Sequence, residues 1–150
     1  MAGTFTCLNY HIVFSTKDRQ PLIDAAIQTR LHEYLGGIVR GAGGVLYQIG
    51  GMPDHVHLLA RLHPNGALSE LLRDLKSCST GWVKTTFKNH RMFQWQEGYG
   101  AFTVSKSGLP GVSDYIAGQT EHHAQRDFKS EFVQLLKAHG VEYDAQYIWT

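Results

Sequence analysis

An α+β fold with one antiparallel sheet is what three features of this 150-residue chain predict. Apolar runs of strand length alternate with segments whose apolar residues recur at helical spacing. Their order reads β-α-β-β-α-β, which is a split β-α-β sheet with its helices on one face. After that core is complete, two more helices are expected, the first poor in apolar residues and carrying Tyr115.

The first strand is "CLNYHIVFST", residues 7–16, rich in β-branched and aromatic side chains and halted by the polar cluster 17–20. Asp24 is placed to cap a helix on which Ile27, Leu31, Tyr34, Leu35 and Ile38 share a face, and Gly41, Gly43 and Gly44 end it. Residues 45–49 form the second strand. The turn "GGMPD", residues 50–54, then reverses the chain into a third strand at 55–62, giving a hairpin. Leu68, Leu71, Leu72 and Leu75 mark the buried face of a second helix that runs on through Trp82, Val83 and Phe87, with a bend expected near 77–81. The fourth strand is "YGAFTVS", residues 99–105, and "KSGLPG" follows as a loop. This is the ferredoxin-like order, which leaves the second sheet face open to a ligand. Ser113 is expected to cap the polar helix "DYIAGQTEHH", and Asp127 a last helix through Phe128, Phe132, Leu135 and Leu136 that stops at Gly140. The whole of 1–150 reads as one domain, with a core at 5–106 and a tyrosine-bearing helix and tail at 110–150.

A formal net charge of +1 gives no overall excess of cations, so a nucleic-acid surface requires uneven placement. Such placement exists. Between Lys76 and Gln96 there is no acidic residue, and Lys84, Lys88 and Arg91 stand at i, i+4 and i+7. Lys76 adds to them, and Trp95 and Phe93 are candidates to stack on unpaired bases. Lys17 and Arg19 after the first strand, and Lys106 after the fourth, extend the set. Cys7 and Cys78 have no metal-ligand spacing and are expected as free core thiols. No apolar run approaches the roughly 18 residues of a membrane span, and the start of the chain has no secretory leader pattern, so a cytoplasmic protein is expected.

The chemistry centres on "GGMPDHVHLLARL", residues 50–62. Alternate strand residues project to one face, so His55 and His57 stand together with Val56 turned away. Paired imidazoles suit a metal; two hydrogen-bonded histidines satisfy the same spacing. On the later helix Tyr115, Gln119 and His122 fall at i, i+4 and i+7 and form a stripe. If that stripe meets the open sheet face, the Gln119 carbonyl joins His55 and His57 as a third ligand and the Tyr115 phenol lies beside the cation. A divalent metal held by neutral ligands keeps its charge and polarises a phosphoryl oxygen. Tyrosine attacks phosphorus only with a lowered pKa or with its proton removed, because its ordinary pKa is about 10. His11, His122 and His123 are further candidates for the same site. Imidazoles with open positions for water and phosphate point to Mg²⁺ or Mn²⁺.

The string "MPDHVHLL" resembles the His-hydrophobic-His motif of single-tyrosine HUH transposases, the insertion-sequence 200/605 group and its repeat-associated relatives. "YIAGQTEHH" is similar to their tyrosine helix, and the likeness extends through "HIVFSTKDRQPLI", "LSELLRDLKS", "FQWQEGYGAFTVS" and "HGVEYDAQYIW". The resemblance implies a metal-dependent transposase that acts on single-stranded DNA, recognises hairpins near element ends and forms a 5′-phosphotyrosine intermediate at Tyr115. It also implies a homodimer in which the tyrosine helix of one subunit completes the partner's site, with the "SGLPG" segment as the flexible connection. Gly118 stands where the family commonly has asparagine. Two other readings share the motifs: a hairpin-binding regulator without catalysis, and a relaxase-like nickase.

Overall fold

A computed structural model of the chain describes residues 3–124 and 126–150. Strands β1 (Asn9–Ser15), β2 (Val45–Met52), β3 (His55–Arg61) and β4 (Gly100–Thr103) form one antiparallel sheet in the order β2-β3-β1-β4. Helix α1 (Gln28–Gly41) joins β1 to β2, and α2 (Leu68–Thr86) joins β3 to β4. This is the expected split β-α-β order. Three helices follow: α3 (Leu109–Ala117), α4 (Gln119–His123) and α5 (Phe128–Ala138).

The pleat sorts the central strands into two chemistries. Ile12, Phe14, Val56, Leu58 and Ala60 meet Leu31, Leu35 and Val39 of α1 and Leu72, Leu75 and Val83 of α2. Each such buried aliphatic side chain contributes about 1.5–3 kcal/mol of transfer free energy. The other face carries His11, Val13 and Ser15 beside Leu59, His57 and His55, their register partners on β3. Over that face lies a second apolar cluster of Val13, Phe102, Phe128 and Leu136, with Ile148 and Trp149 packed against it. Thus α5 and the C-terminal residues cover the face that the core helices leave open.

Several local expectations need correcting. Helix α2 is continuous from Leu68 to Thr86, because Ser79 satisfies its hydroxyl on the Leu75 carbonyl without leaving helical geometry. The hairpin strand β2 reaches Met52, so the reversal is confined to Pro53 and Asp54. Ser113 does not cap the tyrosine helix: α3 starts four residues earlier, at Leu109, with Pro110 in its first turn where a missing N–H costs nothing. Asp24 bonds the Ala26 N–H in a turn ahead of α1, whereas Asp127 caps α5 through the Ser130 N–H at 3.0 Å. Cys7 and Cys78 are both exposed, not core thiols. No helix of the described residues is long and apolar enough to cross a membrane.

Candidate active site and metal centre

His55 and His57 are fully buried on β3, and α3 and α4 dock against β2 and β3 beside them. Close approach at this contact depends on Gly50 of β2. A Cβ there would lie 2.5 Å from the Ile116 carbonyl oxygen, so only glycine lets the α3 backbone sit this near the strand. Tyr115 and Gln119 are thereby held over the imidazoles. The helix breaks at Gly118, between α3 and α4, and the break changes which histidine faces the sheet. His123 reaches the imidazole cluster, while the His122 ring stacks on Tyr115 at 4.6 Å between centroids. His122, in register by ideal helical spacing, is therefore a packing partner of the phenol.

At the centre stands a residue the sequence reading missed, Glu131 of α5, whose side chain is fully buried. Its Oε1 lies 3.0 Å from His57 Nε2, and its Oε2 accepts the Tyr115 hydroxyl and, at 3.1 Å, the Gln119 amide N–H. One atom from each of His55, His57, His123 and Glu131 lies within 4.8 Å of the others. A glutamate in an amphipathic helix ordinarily reads as a solvated residue, and it is the docking of α5 that turns this one inward.

The hydrogen bonds fix the tautomers of the outer imidazoles. His55 Nδ1–H donates to Asp54 Oδ1 at 2.6 Å, and His123 Nδ1–H donates to the Arg126 carbonyl at 2.9 Å. Both Nε2 atoms consequently present lone pairs inward. They meet other acceptors: Gln119 Oε1 lies 3.0 Å from each, and Glu131 Oε1 lies 3.4 Å from His55 Nε2 and 3.2 Å from His123 Nε2. Lone pair facing lone pair at such distances is unfavourable unless a cation lies between them, and the donor set of imidazole, carboxylate and amide oxygen fits a divalent metal. Asp54 and the Arg126 carbonyl then act as the outer hydrogen bonds that orient metal-binding imidazoles. His11, on β1, plays this part for His57, its Nε2 lying 2.8 Å from His57 Nδ1.

Burial dominates the electrostatics. It pushes His57 below its ordinary value despite the opposing Glu131 charge, and with the neighbouring His57 it takes His11 down to about 3. Burial opposes the charge on Glu131, yet the hydrogen bond and charge of His57, together with the Tyr115 hydroxyl, hold its carboxyl well below the usual range. The Tyr115 phenol is pushed up to about 12 by burial and by its bond to Glu131.

The expected DNA-contacting residues divide. Lys84, Lys88 and Arg91 are exposed at the end of α2 and just beyond it. Trp95 is buried against Phe14 and Phe93 and donates its indole N–H to Ser79 at 2.8 Å, so it is a core residue and offers no stacking face; Phe93 is buried too. Lys76 turns its ammonium to the Gln96 carbonyl at 2.7 Å and to that of Gly98, and burial lowers it to about 8, which makes it a clasp on the loop before β4. Lys17 and Arg19 are half-buried in the turn after β1. Arg19 lies over the ring of Trp149, 5.2 Å from its centroid.

An antiparallel sheet with paired histidines and a tyrosine-bearing helix laid across its open face belongs here to a DNA strand transferase. Residues 4–119 match the family described as "Transposase IS200 like", and the chain belongs to this IS200/IS605 family of transposases. It is 26% identical over 117 residues to the ISDra2 transposase TnpA of Deinococcus radiodurans, an alignment covering 75% of this chain and 84% of that one. A crystal structure from Deinococcus radiodurans R1, assigned as a transposase, superposes with a TM-score of 0.64 at 26% identity over 79% of this chain and 95% of that one. The structure of a REP-associated tyrosine transposase bound to a REP hairpin shares the fold, with a TM-score of 0.61 at 17% identity, covering 82% of this chain and 72% of that one. The family match ends at Gln119, before His123 and Glu131.

Proposed function

We propose that this transposase cleaves and rejoins single-stranded DNA at hairpin-bearing element ends through a phosphotyrosine formed at Tyr115, using the cluster around His57 as a metal centre. The observation that carries the reading is the convergence of His55 Nε2, His123 Nε2, Gln119 Oε1 and Glu131 Oε1 as mutually facing acceptors next to the phenol. In this reading His55, His57 and Glu131 hold the cation, with Gln119 and His123 completing its shell. A bound divalent ion supplies positive charge that polarises the scissile phosphate and stabilises the charge developing in attack. Three imidazoles and a carboxylate suit Mn²⁺ better than Mg²⁺, which prefers oxygen ligands and water.

The phenol oxygen attacks phosphorus, forming the Tyr115 O–P bond as the P–O3′ bond breaks. The 3′ oxygen leaves and is protonated, and the strand's 5′-phosphate remains on the enzyme. The phenolic proton passes to the Glu131 carboxylate that already accepts it. Reversal with a different 3′-hydroxyl reseals DNA, because the phosphotyrosine conserves the phosphodiester. The basic residues Lys84, Lys88 and Arg91 supply salt-dependent contacts to the backbone. The residues 1–150 work as one cytoplasmic unit in this account.

The test mixes the protein with single-stranded DNA and Mn²⁺ and looks for a denaturation-resistant adduct. Wild type is expected to form it, and Tyr115→Phe is expected to form none. An adduct that persists in Tyr115→Phe excludes this nucleophile. Hairpin binding without any adduct in wild type leaves the non-catalytic regulator as the reading.

A further inference from the structure

A cavity of about 260 Å³ opens beside the imidazole cluster, on the same sheet face. Its floor is Val13 and Ser15 of β1, the register partners of His57 and His55. One wall is Phe128, whose ring stacks on His55 at 4.4 Å between centroids, so the cavity and the imidazoles share a partition one side chain thick. Beside Phe128, edge-on at 6.4 Å between centroids, stands Trp149, with the Arg19 guanidinium over its ring at 5.2 Å and the Lys129 ammonium at 5.4 Å.

The turn bearing Arg19 is held in an unusual shape. Asp18 and Arg19 have φ of 53° and 56°, a left-handed conformation that side chains rarely adopt. It is fixed by the Asp18 N–H donating to the Gln96 side-chain oxygen at 2.9 Å and the Lys17 N–H donating to the Gln94 carbonyl at 2.9 Å. The guanidinium is thereby delivered to the cavity with its Nη1 shielded from solvent and, among the described residues, without a hydrogen-bond partner. A shielded, unpaired donor calls for an acceptor from outside the fold. Backbone strain that serves to present such a donor is characteristic of a ligand site.

We propose that this cavity receives one unpaired nucleobase of the strand cut at Tyr115, stacked against Trp149 with a ring or carbonyl acceptor turned to Arg19. The inference rests on the single-strand reading above. Flat apolar walls suit a base, the cavity has room for one, and the Lys129 ammonium beside Trp149 suits a flanking phosphate. Glu97 at the rim adds an acceptor for a base that carries donors.

The test compares affinity for each of the four homo-oligodeoxynucleotides with that for an all-abasic strand of equal length, by anisotropy at fixed salt in the Tyr115→Phe protein. Losing one stacked base costs about tenfold in affinity. We expect at least one homopolymer to exceed the abasic strand by that factor, Trp149→Leu to abolish the excess, Trp149→Phe to retain most of it, and Arg19→Gln to reduce it. The salt slope should stay the same in the two Trp149 variants, which change no charge. No preference for bases, or a preference that survives Trp149→Leu, overturns the proposal, as does a loss in Trp149→Phe equal to that in Trp149→Leu. The adduct assay on protein with Tyr115 intact is scored separately, so a base preference without an adduct removes the catalytic reading and leaves the pocket.

Discussion

Tyr115 holds its proton at rest and has one acceptor for it, Glu131. Its phenol pKa, pushed up to about 12 from an ordinary 10.0, has a stability consequence whose sign is fixed by linkage. Unfolded chains lose this proton as the pH passes 10, whereas the folded protein keeps it until about 12. The contribution is therefore complete below pH 10 and is lost between pH 10 and 12. Denaturant titrations of metal-free protein should show stability falling more steeply across that window in wild type than in Tyr115→Phe; equal slopes would mean the phenol is not held neutral. Glu131 makes a complementary prediction. Its carboxyl is held below the usual range by His57 and Tyr115, so the ionised form contributes stability at neutral pH, which is lost as the pH falls through the usual carboxylate range and below. Glu131→Gln should therefore lower metal-free stability at neutral pH and slow adduct formation by about 10²–10⁴, the usual contribution of a positioned base. A Glu131→Gln protein that loses stability but keeps normal adduct formation would mark Glu131 as structural. At this scale the histidine pair and the tyrosine were legible from spacing, whereas Glu131 was not. A lone acid on an amphipathic helix carries no periodic signal, and its role is set by where α5 docks.

At the scale of elements, the position of the nucleophile depends on how closely α3 approaches β2. Gly50 is the point of closest passage, with the Ile116 carbonyl 2.5 Å from the place of a Cβ. Gly50→Ala must push α3 outward, and overpacking of this kind costs about 1–3 kcal/mol. The sheet and its main core lie on the other face, so the expected result is a folded protein with lowered thermal stability and a much weaker adduct. Normal adduct yield at normal stability would show that α3 is placed by something else. The order of strands and helices was readable because each buried face has its own period, two for the strands and 3.6 for the helices. Helix starts and side-chain fates were less so. Leu109 opens α3 because Pro110 tolerates the first turn, and Trp95 is consumed by the core through Ser79, a contact between α2 and a loop sixteen residues away that no local pattern announces.

On the scale of the whole molecule, α3, α4 and α5 lie on the chain's own sheet, and Tyr115 bonds Glu131, which also meets His57 and Gln119. The family resemblance implies a homodimer with exchanged tyrosine helices, and the two arrangements give opposite results in a mixing experiment. One variant, Tyr115→Phe, lacks the nucleophile; another, His57→Ala, lacks an imidazole. Each should be inactive alone. Sites built within one chain stay inactive on mixing, since every chain carries one defect in its own site. Exchanged helices would let half of the sites in a mixed dimer pair an intact Tyr115 with an intact His57, and adduct would return on the His57→Ala chain. Return of the adduct would show exchanged helices, and its absence a site built within one chain. Exchange would require α3 and α4 to leave β2 while α5, anchored by Phe128 and Leu136 in the apolar cluster with Val13 and Phe102, either follows or stays behind. If it stays, Tyr115 parts from Glu131; if it follows, the cluster must separate and expose its apolar side chains to water, at about 25 cal/mol for each Å² uncovered. A partner's helices would have to replace those contacts in full, so the cost of parting them sets a barrier to exchange.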